Sequence, residues 1–174
     1  MHTTIPATAI DIYRSLPEGT RCEVLYNTLI MTPAPSTKHQ FVAIKLSALL
    51  YNLLAELNTG VVLGAPTDVY FEGEQSVIQP DVFVVMNENK QIILDDGVYG
   101  APDIIFEVLS TNRIHDTIKK KTIYETAGVK EYFIIDPANK MVMMFAFNND
   151  KRYELVYELK NKIASDVLGV SFEL

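Results

Sequence analysis

The stretch PDIIFEVLSTNRIHDTIKKKTIYETAGVKEYFIIDP, residues 102–137, decides how this chain is read. It opens on Ile104, Ile105, Phe106, Val108 and Leu109, a β-branched and aromatic run of the kind found in a central strand covered on both faces. One acid, Glu107, sits in the middle of that run. A helical spacing follows, with Lys119, Lys120 and Lys121 in a row and Gly128 as its stop, and then a second apolar strand, EYFIID. Alternation along the first strand puts Ile105, Glu107 and Leu109 on one face and Ile104, Phe106 and Val108 on the other. A carboxylate on such a face needs a cation or a metal ion beside it, because an isolated buried charge is expensive.

The helix offers a cation. At about 100° per residue, Asp116, Lys120, Ile123, Tyr124 and Ala127 share one side, Lys121 and Glu125 the other, and Lys119 lies on the border. Lys120 therefore belongs to the packing side and Lys121 to solvent. Two readings of Lys120 stand open. It runs outward along its alkyl stem or pairs with Asp116 at i,i+4, or its ammonium reaches back to Glu107. A second acid interrupts an apolar strand at Asp81, in IQPDVFVV. Adjacent strands would bring Asp81 and Glu107 to one divalent ion, and Mg²⁺ takes hard oxygen donors, often one or two carboxylates with water. The plainer alternatives are that Glu107 touches water at a strand end and that Asp81 simply opens a strand after Pro80.

The rest of the chain reads outward from there. ATAIDIYRSL is a short amphipathic helix, and RCEVLYNTLIM a hairpin with Asn27 and Thr28 at its turn. APSTKHQFVAIKLSALLYNLLAEL is the longest helical pattern, capped by Ser36 or Thr37, with Phe41, Ile44, Leu49 and Leu53 at helical intervals. GVVLGAPTDVYFE and SVIQPDVFVVM read as two strands, NENKQIILDDGVYGA as a connection, and KMVMMFAF and RYELVYEL as two C-terminal strands. The order predicts a single α/β (α+β) domain over residues 1–174, with a mixed sheet flanked by helices and extra antiparallel strands at the C-terminus.

Composition narrows the function. The 174 residues are 48% hydrophobic and 21% charged, ordinary for a folded domain, and no apolar run approaches the roughly 18 to 20 residues of a membrane span. No basic start precedes an apolar block at the N-terminus, and one cysteine, Cys22, excludes a disulfide framework, so a cytoplasmic setting is expected. A net charge of −7 argues against broad phosphate neutralisation as the basis of binding. No nucleophile elbow, P-loop or dinucleotide fingerprint is present.

The pieces CEVLYNTLIMTPAPSTKHQ, QPDVFVV and PDIIFEVLS, the four-residue spacing of Asp116, Lys120 and Tyr124, and AGVKEYFIIDP resemble in that order the Uma2-like family, whose fold is the restriction-endonuclease-like PD-(D/E)xK core. The resemblance spans about residues 20–137. It implies that Asp81 and Glu107 are metal ligands, that Glu23 binds metal directly or through water, and that the backbone carbonyl of Val108 is a further ligand. Where the motif expects a lysine two residues after the acid, this chain has Leu109, and the resemblance implies that Lys120 supplies that lysine from the helix. His39 and Gln40 match a family position, with a surface or capping role as the plainer alternative for His39. Gln79 would orient a ligand or water, Tyr124 would pack, Asp68 would sit at a strand end with an approach to the cluster as its alternative, and Asp103 would open its strand away from the site. The implied activity is a nuclease dependent on Mg²⁺, or Mn²⁺, acting on DNA, with a homodimer as the implied assembly. The rival is a degenerate nuclease-fold module that binds protein or nucleic acid. Met141, Met143 and Met144 read as core filler, and KMVMMFAF as a strand that covers the sheet or meets a second subunit.

Overall fold

The computed structural model describes residues 7–110 and 114–174, with the backbone alone for 114–116. Helix α1 (Ala9–Ser15) precedes a hairpin of β1 (Cys22–Leu25) and β2 (Thr28–Met31), the long helix α2 (Thr37–Leu57), and strands β3 (Gly60–Gly64), β4 (Val69–Phe71), β5 (Ser76–Ile78) and β6 (Val82–Met86). Short strands β7 (Ile93–Leu94) and β8 (Gly97–Tyr99) lead to β9 (Ile104–Val108), helix α3 (Ile114–Ala127) and β10 (Glu131–Ile135). The chain ends in β11 (Met141–Phe147), β12 (Tyr153–Lys160), β13 (Lys162–Ser165) and β14 (Val170–Glu173).

The fold is mixed α/β, but it holds two six-stranded sheets where the sequence predicts one. The first runs β2-β1-β5-β4-β8-β7 and the second β12-β11-β10-β9-β6-β3, with β13–β14 as a separate hairpin. The stretch that opens the sequence reading forms the heart of the second sheet. There β9 and β10 run parallel, as strands joined by a helix can, and their neighbours are antiparallel. Parity along β9 is as expected. Ile104, Phe106 and Val108 join Ala43, Leu46, Leu50 and Leu54 of α2 in one core. Ile105 faces the other core, with Ile123 and Tyr124 of α3 and with Val69, Phe71, Ile78 and Val98 of the first sheet.

Several expectations are corrected. GVVLGAPTDVYFE is not one strand. The chain leaves the second sheet after Gly64, passes Pro66, and enters the first sheet as β4. SVIQPDVFVVM divides likewise at Pro80, with β5 in the first sheet and β6 in the second. Proline has no N–H for a ladder, which makes it a natural place to change sheets. The hairpin turn is Tyr26–Asn27, both at positive φ, and Thr28 already belongs to β2. The segment read as a connection contains a 3₁₀ turn, Asn87–Ile92, and two short strands. The last fourteen residues, read without strands, form β13 and β14.

The main correction concerns α2. Ser36 caps it, accepting from the His39 N–H at 3.2 Å. Its buried face is His39, Ala43, Leu46, Leu50 and Leu54, while Phe41 and Ile44 point to solvent and Leu49 and Leu53 are half-buried. By length and composition alone this helix is also apolar enough to cross a membrane, a property it shares with core helices of globular folds.

One buried acid away from the site has a structural duty. Glu131, at the start of β10, accepts from the Ser165 hydroxyl and from the N–H groups of Asp166 at 2.8 Å and Val167 at 3.0 Å, pinning the β13–β14 hairpin to the sheet. Glu131→Ala strands those donors and is expected to destabilise the fold by on the order of 3 kcal/mol. Hydrogen exchange checks the assignment, because β13 and β14 amides should lose protection before those of β9 and β10.

Candidate active site

The site forms where β1, β9, α2 and α3 meet. Glu107 enters it from β9, which is flanked by β6 and β10, and its side chain is turned toward α3. Lys120 Nζ lies 3.2 Å from Glu107 Oε1 and 2.9 Å from Glu23 Oε1, which comes across from β1 of the first sheet. All three side chains are buried. The lysine therefore bonds two acids from two sheets, and the reading that it reaches Glu107 prevails over the outward one. The side chain of Asp116, the alternative partner, lies outside the described residues. Lys121 stays partly exposed on the side away from the acids, and its ammonium also rests 3.9 Å from the ring centroid of Phe145.

Asp81 stands just before β6. Its Oδ2 accepts from the Val108 N–H at 2.7 Å and lies 3.0 Å from His39 Nε2. Thus Asp81 is latched to the strand that carries Glu107, and the group of Val108 in contact with it is the N–H. Two residues that sequence reasoning set aside are part of the arrangement. Tyr124, read as packing, donates its hydroxyl to Glu107 Oε1 at 2.6 Å. His39, for which a surface or capping role was the plainer reading, is buried against Asp81. The signal for His39 was its spacing with Ala43, Leu46, Leu50 and Leu54 on the buried face of α2; for Tyr124 it was the shared side with Lys120.

Gln79 lines the cleft and holds Glu23 through its backbone. Its N–H donates to Glu23 Oε1 at 3.0 Å, while its side-chain amide donates to Asp68 Oδ1 at 2.9 Å. Tyr13 of α1 donates to the same Asp68 oxygen at 2.6 Å. Asp68 thus supports the cluster from behind without entering it. Asp103 stays apart, accepting from the Met86 N–H and pairing with Lys130. Cys22 is a buried packing residue whose thiol is pushed up by burial.

The charges act on one another. The Glu107 carboxyl is raised to about 7 in all: burial pushes it up, Lys120 pulls it back, Asp81 and Glu23 push it up, and the Tyr124 hydroxyl pulls it down. Burial opposes the charge on Lys120, but Glu107, Glu23 and Asp81 outweigh it and hold the ammonium above its ordinary value. Burial likewise opposes the charge on His39, and the hydrogen bond and charge of Asp81, with Glu107 behind it, raise it above the usual imidazole value. These groups line a cleft of about 450 Å³, with Arg21 and Lys38 also on its wall. Among the described residues, no three His, Cys, Asp or Glu side chains are disposed to hold a metal ion. Glu23, Asp81 and Glu107 share the cleft, but the lysine stands between two of them.

A family model described as "Putative restriction endonuclease" matches residues 10–174. The chain belongs to the Uma2 family. Its fold is also that of a solved structure from Anabaena variabilis ATCC 29413, described as a "putative nuclease belonging to DUF820", which matches with a TM-score of 0.78 at 15% identity over 97% of this chain and 95% of that one. No curated protein matches the chain. In this Uma2 chain the acid of β9 and the lysine of α3 meet although twelve residues lie between them, so Leu109 two residues after the acid does not leave it without a cation.

Proposed function

We propose that this Uma2 chain is a divalent-metal-dependent nuclease that hydrolyses phosphodiester bonds of DNA. The observation that carries the reading is Lys120, which reaches from α3 into an acid-lined cleft and closes on Glu107 beside Asp81. The donor type, carboxylate oxygen, is the one a hard cation takes, and Lys120 would have to yield part of its hold on Glu23 and Glu107 to admit one. Asp81 and Glu107 offer carboxylate oxygens, and Mg²⁺ commonly binds by one or two carboxylates plus water, with Mn²⁺ as the alternative. Two buried polar atoms of residues that line the cleft, His39 Nδ1 and the Tyr132 hydroxyl, have no hydrogen-bond partner among the described residues. Asp81 and Glu107 would hold the ion, with Glu23 contributing directly or through water and the Val108 carbonyl as a further donor. When bound, the ion would supply Lewis acidity at a phosphoryl oxygen and lower the pKa of an attacking water.

The chain's own residues divide the remaining work. Lys120 keeps its proton, so it serves as a fixed positive charge for the transition state rather than as a base. Tyr124 and Gln79 fix the two acids on either side of it. Arg21 and Lys38 add positive charge at the cleft of a chain whose net charge is −7, where a phosphate backbone would approach.

The test is cleavage of supercoiled plasmid and single-stranded DNA in Mg²⁺, Mn²⁺ or EDTA, with Asp81→Ala, Glu107→Ala and Lys120→Ala proteins shown to be folded at the assay temperature. Cutting that needs metal and is lost in all three variants is the expected result. Absence of cutting by wild type, together with no metal binding by calorimetry, would replace the nuclease with a degenerate binding module, for which Lys120 is the permanent counterion. Cutting that survives the three substitutions would remove the site assignment.

A further inference from the structure

Of the two roles open to KMVMMFAF, covering the sheet or meeting a second subunit, its place between β10 and β12 agrees with the first. Met144 is buried, and Met141 and Met143 are half-buried within the second sheet. The outer edge of β12 carries Glu154, Glu158 and Lys160, and a register shift that leaves Val156 between the pairs Met144–Tyr157 and Phe145–Leu155, features that discourage edge-to-edge pairing. β12 also exposes Leu155, Val156 and Leu159 among its charges, but the most exposed apolar cluster on one element lies on α2. Phe41, Ile44 and Tyr51 are 72%, 65% and 66% exposed, with exposed Ala48 and Ala55 among them on the side opposite the core. A groove of about 470 Å³ lined by Ile135, Pro137 and Leu174 continues the patch beside Phe41.

We propose that two copies of this chain pair through that face, α2 against α2, antiparallel about Ala48. The face is complementary to itself in that register. With a rise of about 1.5 Å per residue, Phe41 falls opposite Ala55 of the second copy, large over small, Ile44 lies beside Tyr51 of the second copy, and the two Ala48 residues meet at the axis. Lys38 and Glu56 share one flank of the helix near its opposite ends, so each lysine falls beside the glutamate of the other copy. The antiparallel macrodipoles agree with this arrangement. Large-into-small packing of this kind lets helices approach closely. Each strip measures roughly 31 Å by about 11 Å, so two of them cover on the order of 700 Å², the size of a weak, transient interface. With −7 on each copy opposing the approach, the dimer is weak and concentration-dependent. His39 lies on the other side of the same helix, whereas Lys38 borders both the cleft and the pairing face, so pairing leaves His39 facing its own cleft and draws Lys38 toward Glu56 of the second copy. The inference does not depend on the nuclease reading.

Sedimentation equilibrium from about 1 µM to about 200 µM tests it. Wild type is expected to show a reversible monomer–dimer equilibrium, and Phe41→Glu, an exposed position that leaves the fold intact by circular dichroism, raises Kd by about tenfold or more. Lys38→Glu and Glu56→Lys each weaken the dimer, and the two together restore it, which fixes the antiparallel register. A wild type that stays monomeric throughout, or a dimer indifferent to Phe41→Glu, overturns the proposal. A restored dimer that fails to appear in the charge-swapped double variant overturns the register. Monomeric protein that binds phosphatidylcholine vesicles through Phe41 would assign the face to a lipid surface instead.

Discussion

Lys120→Met is expected to be the most destabilising single change in the cleft. The methionine keeps most of the alkyl stem and removes only the charge, so Glu23 and Glu107 are left facing each other, buried and without a cation. Removing one partner of a buried ion pair costs roughly 3–5 kcal/mol, and for a chain of this size that is a fall in Tm of roughly 6–20 °C. The loss should shrink as pH falls, because protonated acids no longer need the lysine. Adding Glu107→Gln to Lys120→Met should recover part of the stability, since one of the stranded charges is then gone. Thermal and urea melts in EDTA check both statements. A loss below about 1 kcal/mol would mean that water reaches the acids freely.

Glu107→Gln on its own is expected to do the reverse to stability while abolishing activity. Burial holds the Glu107 carboxyl near 7, above the ordinary value for glutamate, so the folded protein prefers it protonated. A folded-state pKa above the unfolded one means that wild type gains stability as pH falls through about 7 toward the ordinary carboxylate range, and loses it as pH rises. Glutamine copies the neutral acid, can still accept from Lys120 and Tyr124, and leaves Lys120 paired with Glu23. The variant should therefore be more stable than wild type above pH 7 in EDTA, with the gap closing as pH falls toward the ordinary carboxylate range. Cleavage should drop by a factor of about 10²–10³ or more. A variant less stable than wild type at high pH would show that the ionised carboxylate contributes net stabilisation through Lys120. Gain of stability with loss of function is the signature expected of a group placed for chemistry.

Much of this arrangement was legible in the sequence because it broke a local rule. Asp81 and Glu107 stand where apolar residues should be, and strand parity then set the face of Glu107 while helical spacing set the side of Lys120. The same logic failed on α2, which is apolar nearly all round. Phe41 and Ile44 advertise a face as strongly as Leu46 and Leu50 do, and periodicity alone could not say which one the sheet covers. Choosing the wrong face placed His39 outside the core and hid its contact with Asp81. Tyr124 was missed for another reason, since a tyrosine on a packing face fills the core with its ring whether or not its hydroxyl meets an acid. Lys121 shows a third limit. Its partner Phe145 lies on a strand twenty-four residues away, and no local pattern connects them. The two sheets were read as one because each proline-broken run looked continuous in composition.

Those proline crossings tie the architecture together. Between residues 60 and 86 the chain visits the second sheet, leaves it for the first, and returns, so neither sheet can be finished without the other. Glu23 belongs to one sheet and Glu107 to the other, and Lys120 can bridge them only once the sheets have met. The chain therefore has no cut point between residues 60 and 86 at which it could be divided into separately folding halves, and fragments split there should regain neither half of the ion cluster. The buried ion cluster and the global fold are one cooperative event, so a newly made chain displays a finished cleft only after the last crossing strand is in place.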